Sequence, residues 1–151
     1  MIEPGTQAPE FTLPDQDGGE VSLAQFAGRK LLLVFYPGDF SAVCSDQLSL
    51  YQEVLAEIAD AGAAVVGISV DSADSHRAFR ARLGLTMPLL ADFHPKGEVC
   101  RAYGTYREDY GKSARALVLI DESGVVRWVH SSPPLEVPGA NLIFDALADD
   151  G

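Results

Sequence analysis

A cysteine that opens a helix is a different reagent from one inside a strand. Residues 35–47, FYPGDFSAVCSDQ, pass from an apolar run through a turn into a segment with helical patterning, and Cys44 falls in its first turn. The unpaired N–H groups and the dipole at that end favour an anion. A thiolate is an anion, and it is the nucleophilic form of sulfur. Ser41 lies three residues earlier, where its hydroxyl can cap the first N–H groups or point at the thiol. Pro37 follows the apolar run and fixes the loop backbone. Arg115 stands just before a second apolar run, residues 116–120. Its permanent charge would reach Cys44 if that run neighbours residues 31–36 in a sheet. Gln47, on the same side of the helix as Cys44, either hydrogen-bonds within the site or is a solvated helix residue.

The second cysteine, Cys100, stands at no metal-binding spacing from the first, and His76, His94 and His130 are scattered. Neither a metal nor another cofactor is expected. Cys100 is either a partly buried structural thiol or a partner for oxidised Cys44; spacing alone does not bring two sulfurs within disulfide reach. His94 reads as a loop or interface residue and Trp128 as packing. Phe40 and Phe93 lie in loops, where a core explains an aromatic less readily.

The elements that must hold these residues follow from the apolar periods. Residues 31–36 (LLLVFY) and 63–70 are continuous apolar runs, as in strands covered on both faces. Between them Leu48, Tyr51, Val54, Leu55 and Ile58 form one helical stripe, ended by Gly62. A helix over 74–83 stops at Gly84, and a short extended piece covers 87–90. A short helix over 96–103 stops at Gly104, and strands at 116–120 and 125–129 join through Asp-Glu-Ser-Gly. A helix over 141–148 closes the chain. At the N-terminus, extended pieces at 9–13 and 20–23 flank a turn. The β-α-β unit requires a parallel pair and the later hairpin an antiparallel one. The expectation is one α/β domain over residues 1–151: a thioredoxin-like fold with a mixed central sheet flanked by helices and an N-terminal hairpin extension.

Composition narrows the partners. With 11 Lys+Arg against 22 Asp+Glu, the net charge of −11 opposes binding to nucleic acid or to an anionic membrane surface. No apolar run approaches the roughly 20 residues that span a bilayer, and the first residues do not read as a signal peptide. A cytoplasmic setting is expected, where an isolated cysteine is chemical more often than structural.

On these residues the chain resembles the peroxiredoxins. Their proline, three residues, threonine or serine, two residues, cysteine motif reads here Pro37-Gly38-Asp39-Phe40-Ser41-Ala42-Val43-Cys44. Their distant arginine matches Arg115 in Ser-Ala-Arg-Ala-Leu-Val-Leu-Ile-Asp, and residues 5–13, 88–92 and 99–104 also fit. The stretch 92–97 is nearest to the alkyl hydroperoxide reductase E group of actinobacteria, with the bacterioferritin-comigratory (Q-type) group next. The resemblance implies a thiol-dependent peroxidase acting on hydrogen peroxide or an alkyl hydroperoxide. Cys44 would become a sulfenic acid, with Arg115 and the backbone N–H groups of Val43 and Cys44 stabilising charge. Ser41 would orient the peroxide and Pro37 would shield the thiolate. It also implies a homodimer and an external thiol reductant: thioredoxin, a glutaredoxin-type protein, or mycothiol with mycoredoxin. Ser41 stands where threonine is commoner. The usual Q-type resolving position holds Ser49, which leaves Cys100 as the possible resolving cysteine.

Two other classes compete. A disulfide reductase needs a Cys-x-x-Cys dithiol, and the flanking positions are Ser41 and Gln47. A redox-sensing or holdase-like protein would use Cys44 oxidation as a switch, without rapid turnover.

Overall fold

The structure is a computed structural model that describes residues 1–150, the last of them by its backbone alone. Its centre is a five-stranded mixed sheet in the order β5-β4-β3-β8-β9. Strand β3 (Lys30–Phe35) pairs in parallel with β4 (Ala63–Ser69) and antiparallel with β8 (Arg115–Ile120). Short β5 (Leu89–Ala91) extends the parallel edge, and β9 (Val126–Ser132) pairs antiparallel with β8. Strands β1 (Thr12–Pro14) and β2 (Glu20–Ser22) form the N-terminal hairpin. The arrangement is thioredoxin-like, as the apolar periods and the resemblance led one to expect.

Because side chains alternate along a strand, the sheet divides the interior in two. Leu32, Val34, Tyr36, Val65, Leu117 and Leu119 face one core, closed by Leu48 and Tyr51 of α1 (Ala42–Glu53), Ile58 of α2 (Leu55–Asp60), Phe79 of α3 (Ala73–Leu83) and Ile143 of α5 (Ala140–Asp150). Leu31, Leu33, Phe35, Val66, Ile68, Val118 and Ile120 face the other, closed by Phe11, Leu13 and Val99 of α4 (Glu98–Ala102). Both faces are covered, which is why β3 and β8 carry unbroken apolar runs.

Local boundaries depart from the sequence reading at three places. The long helix expected up to Gly62 breaks at Val54 (φ −110°, ψ 13°), whose N–H turns back to the Tyr51 carbonyl at 3.2 Å. Burial continues across the break, because Tyr51 and Ile58 enter the same core. The helix expected over 96–103 shortens to α4, whose first N–H groups at Val99 and Cys100 donate to the Asp92 carboxylate. A two-stranded hairpin, β6 (Tyr106–Arg107) with β7 (Lys112–Ser113), had not been foreseen. Strands of two residues carry no readable period. Tyr36 lies one residue past β3, with its ring over Gly67; a Cβ there would meet the ring at 3.2 Å and Leu89 at 2.8 Å.

Candidate active site

Cys44 is the third residue of α1, whose start lies beyond the carboxyl end of β3. Ligands of open α/β sheets bind at that edge. Ser41 is the N-cap: its Oγ accepts the Cys44 N–H at 3.3 Å and donates to the Gly38 carbonyl at 3.4 Å. The cap and the cysteine are therefore one unit. In the resting conformation the Cys44 N–H is already engaged, so a peroxide that uses it must share or displace the Ser41 hydroxyl.

Arg115 reaches the same point from β8. It shares its parity with Leu117 and Leu119, and it faces the α1 core. The side chain is only 1% exposed, so each donor needs an acceptor. One Nη2–H donates to Cys44 Sγ at 3.3 Å. Nε and Nη2 donate to the Pro134 carbonyl at 3.0 and 2.7 Å, and Nη1 donates to Gln47 Oε1 at 2.5 Å. Gln47 is therefore part of the site, one of the two readings that the sequence left open. Its Nε2 donates to Tyr51 Oη at 3.2 Å, and the phenol donates to the Pro138 carbonyl at 2.7 Å. Burial pushes the Tyr51 phenol up to about 12, against opposing pulls from Gln47 and Arg115, so it stays a donor. Tyr51, Pro134 and Pro138 were not legible as site residues: Tyr51 looked like one member of an apolar stripe.

The loop between β3 and α1 is braced from α3. Pro37, half-buried, heads this loop, and Val43 is half-buried one residue before the cysteine. Phe40 takes a left-handed backbone (φ 64°), which is strained for a bulky side chain, and its ring packs 5.1 Å from that of Phe79. Next to it, Asp39 accepts from Tyr36 Oη (2.7 Å) and Ser75 Oγ (2.8 Å), with His76 Nδ1 at 2.8 Å. The Asp39 N–H donates to Asp71 at 2.8 Å. His76, read in the sequence as isolated, thus belongs to a cluster with Asp39 and Asp71 whose ligand-type atoms lie within 4.8 Å of one another. Its two ring nitrogens face Asp39 and the Leu90 carbonyl (3.0 Å). These contacts make the cluster a hydrogen-bonded brace for the loop.

Cys100 is not brought to this site. It lies in the opposite core, with the Phe35 face of the sheet, while Cys44 lies with the Val34 face. Burial first, and then the Asp92 charge, hold its thiol well above the ordinary range. His94 is exposed, and Trp128 stacks on His130 with ring centroids 5.9 Å apart. Phe40 and Phe93 are 48% and 55% exposed past the ends of β3 and β5, on the edge that carries Cys44.

The site thus joins a buried thiol, a helix start and a fixed guanidinium. That arrangement stabilises negative charge on sulfur and on a group that departs beside it. Residues 4–129 match the model of the AhpC/TSA family. The chain is 38% identical to alkyl hydroperoxide reductase E of Mycobacterium tuberculosis, across 98% of this chain and 97% of that one. It is 36% identical to the chloroplastic peroxiredoxin Q of Oryza sativa subsp. japonica, across 87% of this chain and 60% of the relative. Among solved structures, peroxidoxin BcpB from Mycobacterium tuberculosis superposes with a TM-score of 0.86 at 28% identity, covering 98% of this chain and 96% of that one.

Proposed function

The chain belongs to the AhpC/TSA family and is a thiol-dependent peroxidase, and we propose that its peroxidatic sulfur is Cys44 Sγ. The observation that carries this reading is the 3.3 Å hydrogen bond from Arg115 Nη2 to Sγ at the head of α1. The thiolate attacks the hydroxyl-bearing oxygen of a hydroperoxide, in line with the O–O bond. An S–O bond forms, the O–O bond breaks, and the second oxygen leaves with the electron pair and takes up a proton as water or an alcohol. Sulfur is oxidised to the sulfenic acid and the peroxide is reduced. Arg115 and the N–H groups of Val43 and Cys44 stabilise the departing charge. Ser41 orients the peroxide, and Pro37 shields the sulfur. Hydrogen peroxide and alkyl hydroperoxides both suit a site flanked by Val43 and Phe40.

The sulfenic acid is returned to the thiol by two equivalents of an external thiol, which leave as a disulfide while the oxygen leaves as water. Cys100 supports this reading by its place on the opposite face of the sheet. Thioredoxin, a glutaredoxin-type protein, or mycothiol with mycoredoxin would supply the electrons. No helix among the described residues is long and apolar enough to cross a membrane, and a reducing cytoplasm fits a protein that works through a free thiol. The exposed Phe40 and Phe93 support a homodimer formed over that edge.

Intact-mass measurement tests the assignment. Reduced protein given one equivalent of hydrogen peroxide is expected to gain one oxygen, in Cys100→Ser as in the parent, and Cys44→Ser is expected to gain none. Loss of two hydrogens that either substitution abolishes would make Cys100 the resolving cysteine. Oxidation of Cys44 without turnover under any thiol reductant would favour the redox-sensing or holdase-like class.

A further inference from the structure

We propose that Tyr51 is a positioning residue, holding the Arg115 guanidinium in register with Cys44 through Gln47 and tying that register to the segment 133–138. The inference rests on the reading of Cys44 and Arg115 as the reacting pair.

The direction of every bond in the chain of contacts is forced. A guanidinium only donates and a backbone carbonyl only accepts. Between Arg115 and the Pro138 carbonyl stand two side chains, and the distances of 2.5, 3.2 and 2.7 Å leave one consistent order. Arg115 donates to the Gln47 oxygen, the Gln47 nitrogen donates to the phenol, and the phenol donates to Pro138. Position 47 must therefore accept on one side and donate on the other, which an amide does and a carboxylate does not. Position 51 needs a hydroxyl that keeps its proton, as this buried phenol does.

The other side of the guanidinium is held by the Pro134 carbonyl, so both anchors belong to one segment. That segment, Pro-Pro-Leu-Glu-Val-Pro, has three prolines in its six residues, which limits its backbone freedom. Three of the five N–H groups of Arg115 go to the Pro134 carbonyl and Gln47, and the second Nη2–H is the one aimed at sulfur. Tyr51 and Gln47 are both fully buried, so water does not replace a missing partner. Without the Tyr51 hydroxyl, the Gln47 amide loses the partner that keeps its oxygen toward Arg115, and the Pro138 carbonyl loses the phenol that donates to it.

The test separates positioning from structural support. Arg115 favours the thiolate in any reaction of Cys44, but peroxide cleavage alone adds an oxygen that leaves with negative charge beside it, so the two rates are compared per thiolate, taken from the pH dependence of alkylation. Tyr51→Phe and Gln47→Glu are compared with the parent for Cys44 oxidation by hydrogen peroxide and alkylation by iodoacetamide, with circular dichroism as the check on folding. Both variants are expected to oxidise about 10- to 100-fold more slowly, while alkylation changes by less than about threefold. An oxidation rate within twofold of the parent in a folded Tyr51→Phe would overturn the proposal. So would equal losses in both reactions, which mark a structural role. If Tyr51→Phe fails to fold, Gln47→Glu decides by the same two rates. A parent protein whose oxidation does not depend on Cys44 would instead overturn the assignment of the sulfur, a result visible in Cys44→Ser alone.

Discussion

Cys44 and Cys100 occupy the same place in their helices and meet opposite charges. Each is the third residue of its helix, each follows a valine, and each is fully buried. Cys44 opens the 12-residue α1, which is capped by the neutral hydroxyl of Ser41, and its sulfur accepts an N–H from a guanidinium. Cys100 opens the five-residue α4, which is capped by a carboxylate: Asp92 takes the Val99 and Cys100 N–H groups at 3.1 and 2.8 Å. The anion-binding end of α4 is thus already filled, and the negative charge beside the thiol opposes its ionisation. Helix position and burial are common to both. What differs is the charge of the nearest partner, a guanidinium at Cys44 and a carboxylate at Cys100.

The sharpest way to break that comparison is to remove each sulfur. Cys44→Ser is expected to lower peroxide consumption about a thousandfold or more, and Cys100→Ser to leave it within twofold, in a coupled assay with excess thiol reductant. Equal losses would show that the two sulfurs work together.

Removing the cation comes next. Arg115→Gln is expected to slow Cys44 oxidation about a hundredfold, the scale for losing one preorganised donor to a developing anion. Stopped-flow measurement with hydrogen peroxide reads it directly, and an effect below threefold would mean that the helix start alone favours the anion.

A third outcome concerns the groups that burial keeps neutral. Cys100, Tyr36, Tyr51 and Tyr103 are all raised, chiefly by burial. Their stabilising effect is complete below the unfolded values, near 9 for the thiol and 10 for the phenols, and is lost as pH rises above them. Above that point the unfolded chain has released protons that the folded one retains. For Tyr51, held at about 12, the loss by that pH is about 2–3 kcal/mol. Urea midpoints are expected to fall steadily from pH 9 to pH 11, and Cys100→Ala to flatten the first part of that fall. A midpoint independent of pH over that range would contradict the burial of these groups.

The smallest effect belongs to the cap. Ser41→Ala is expected to destabilise by about 1 kcal/mol and to slow oxidation several-fold, because the hydroxyl both caps α1 and touches the Cys44 N–H. A loss of stability with an unchanged rate would confine Ser41 to capping.

Much of the fold was legible because its signals are local. The unbroken apolar runs of β3, β4 and β8 announce strands covered on both faces, and α3 ends where the sequence places its stop, at Gly84, which takes a left-handed φ of 67°. The break at Val54 and the β6–β7 hairpin were not legible, because each changes only a residue or two of pattern. Among site residues, Cys44, Ser41 and Pro37 stood out by spacing within one turn of chain, whereas His76 and Tyr51 looked like ordinary helix residues.

By itself the sequence determined the candidate nucleophile and its frame: a cysteine at a helix start, a hydroxyl three residues before it, a proline at the loop head, and a strand on each side of the crossover. These depend on backbone periods, which act over a few residues. The tertiary structure alone decided which groups meet. Arg115 reaches Cys44 from 71 positions away, and Tyr51 reaches Pro138 from 87. The antiparallel pairing of β3 with β8 brings Arg115 to that edge, and its odd place among Arg115, Leu117 and Leu119 turns it toward the α1 core. Cys100 lies behind the sheet because α4 packs on its other face. A one-residue change of register reverses which face a side chain meets, and no local pattern records that choice.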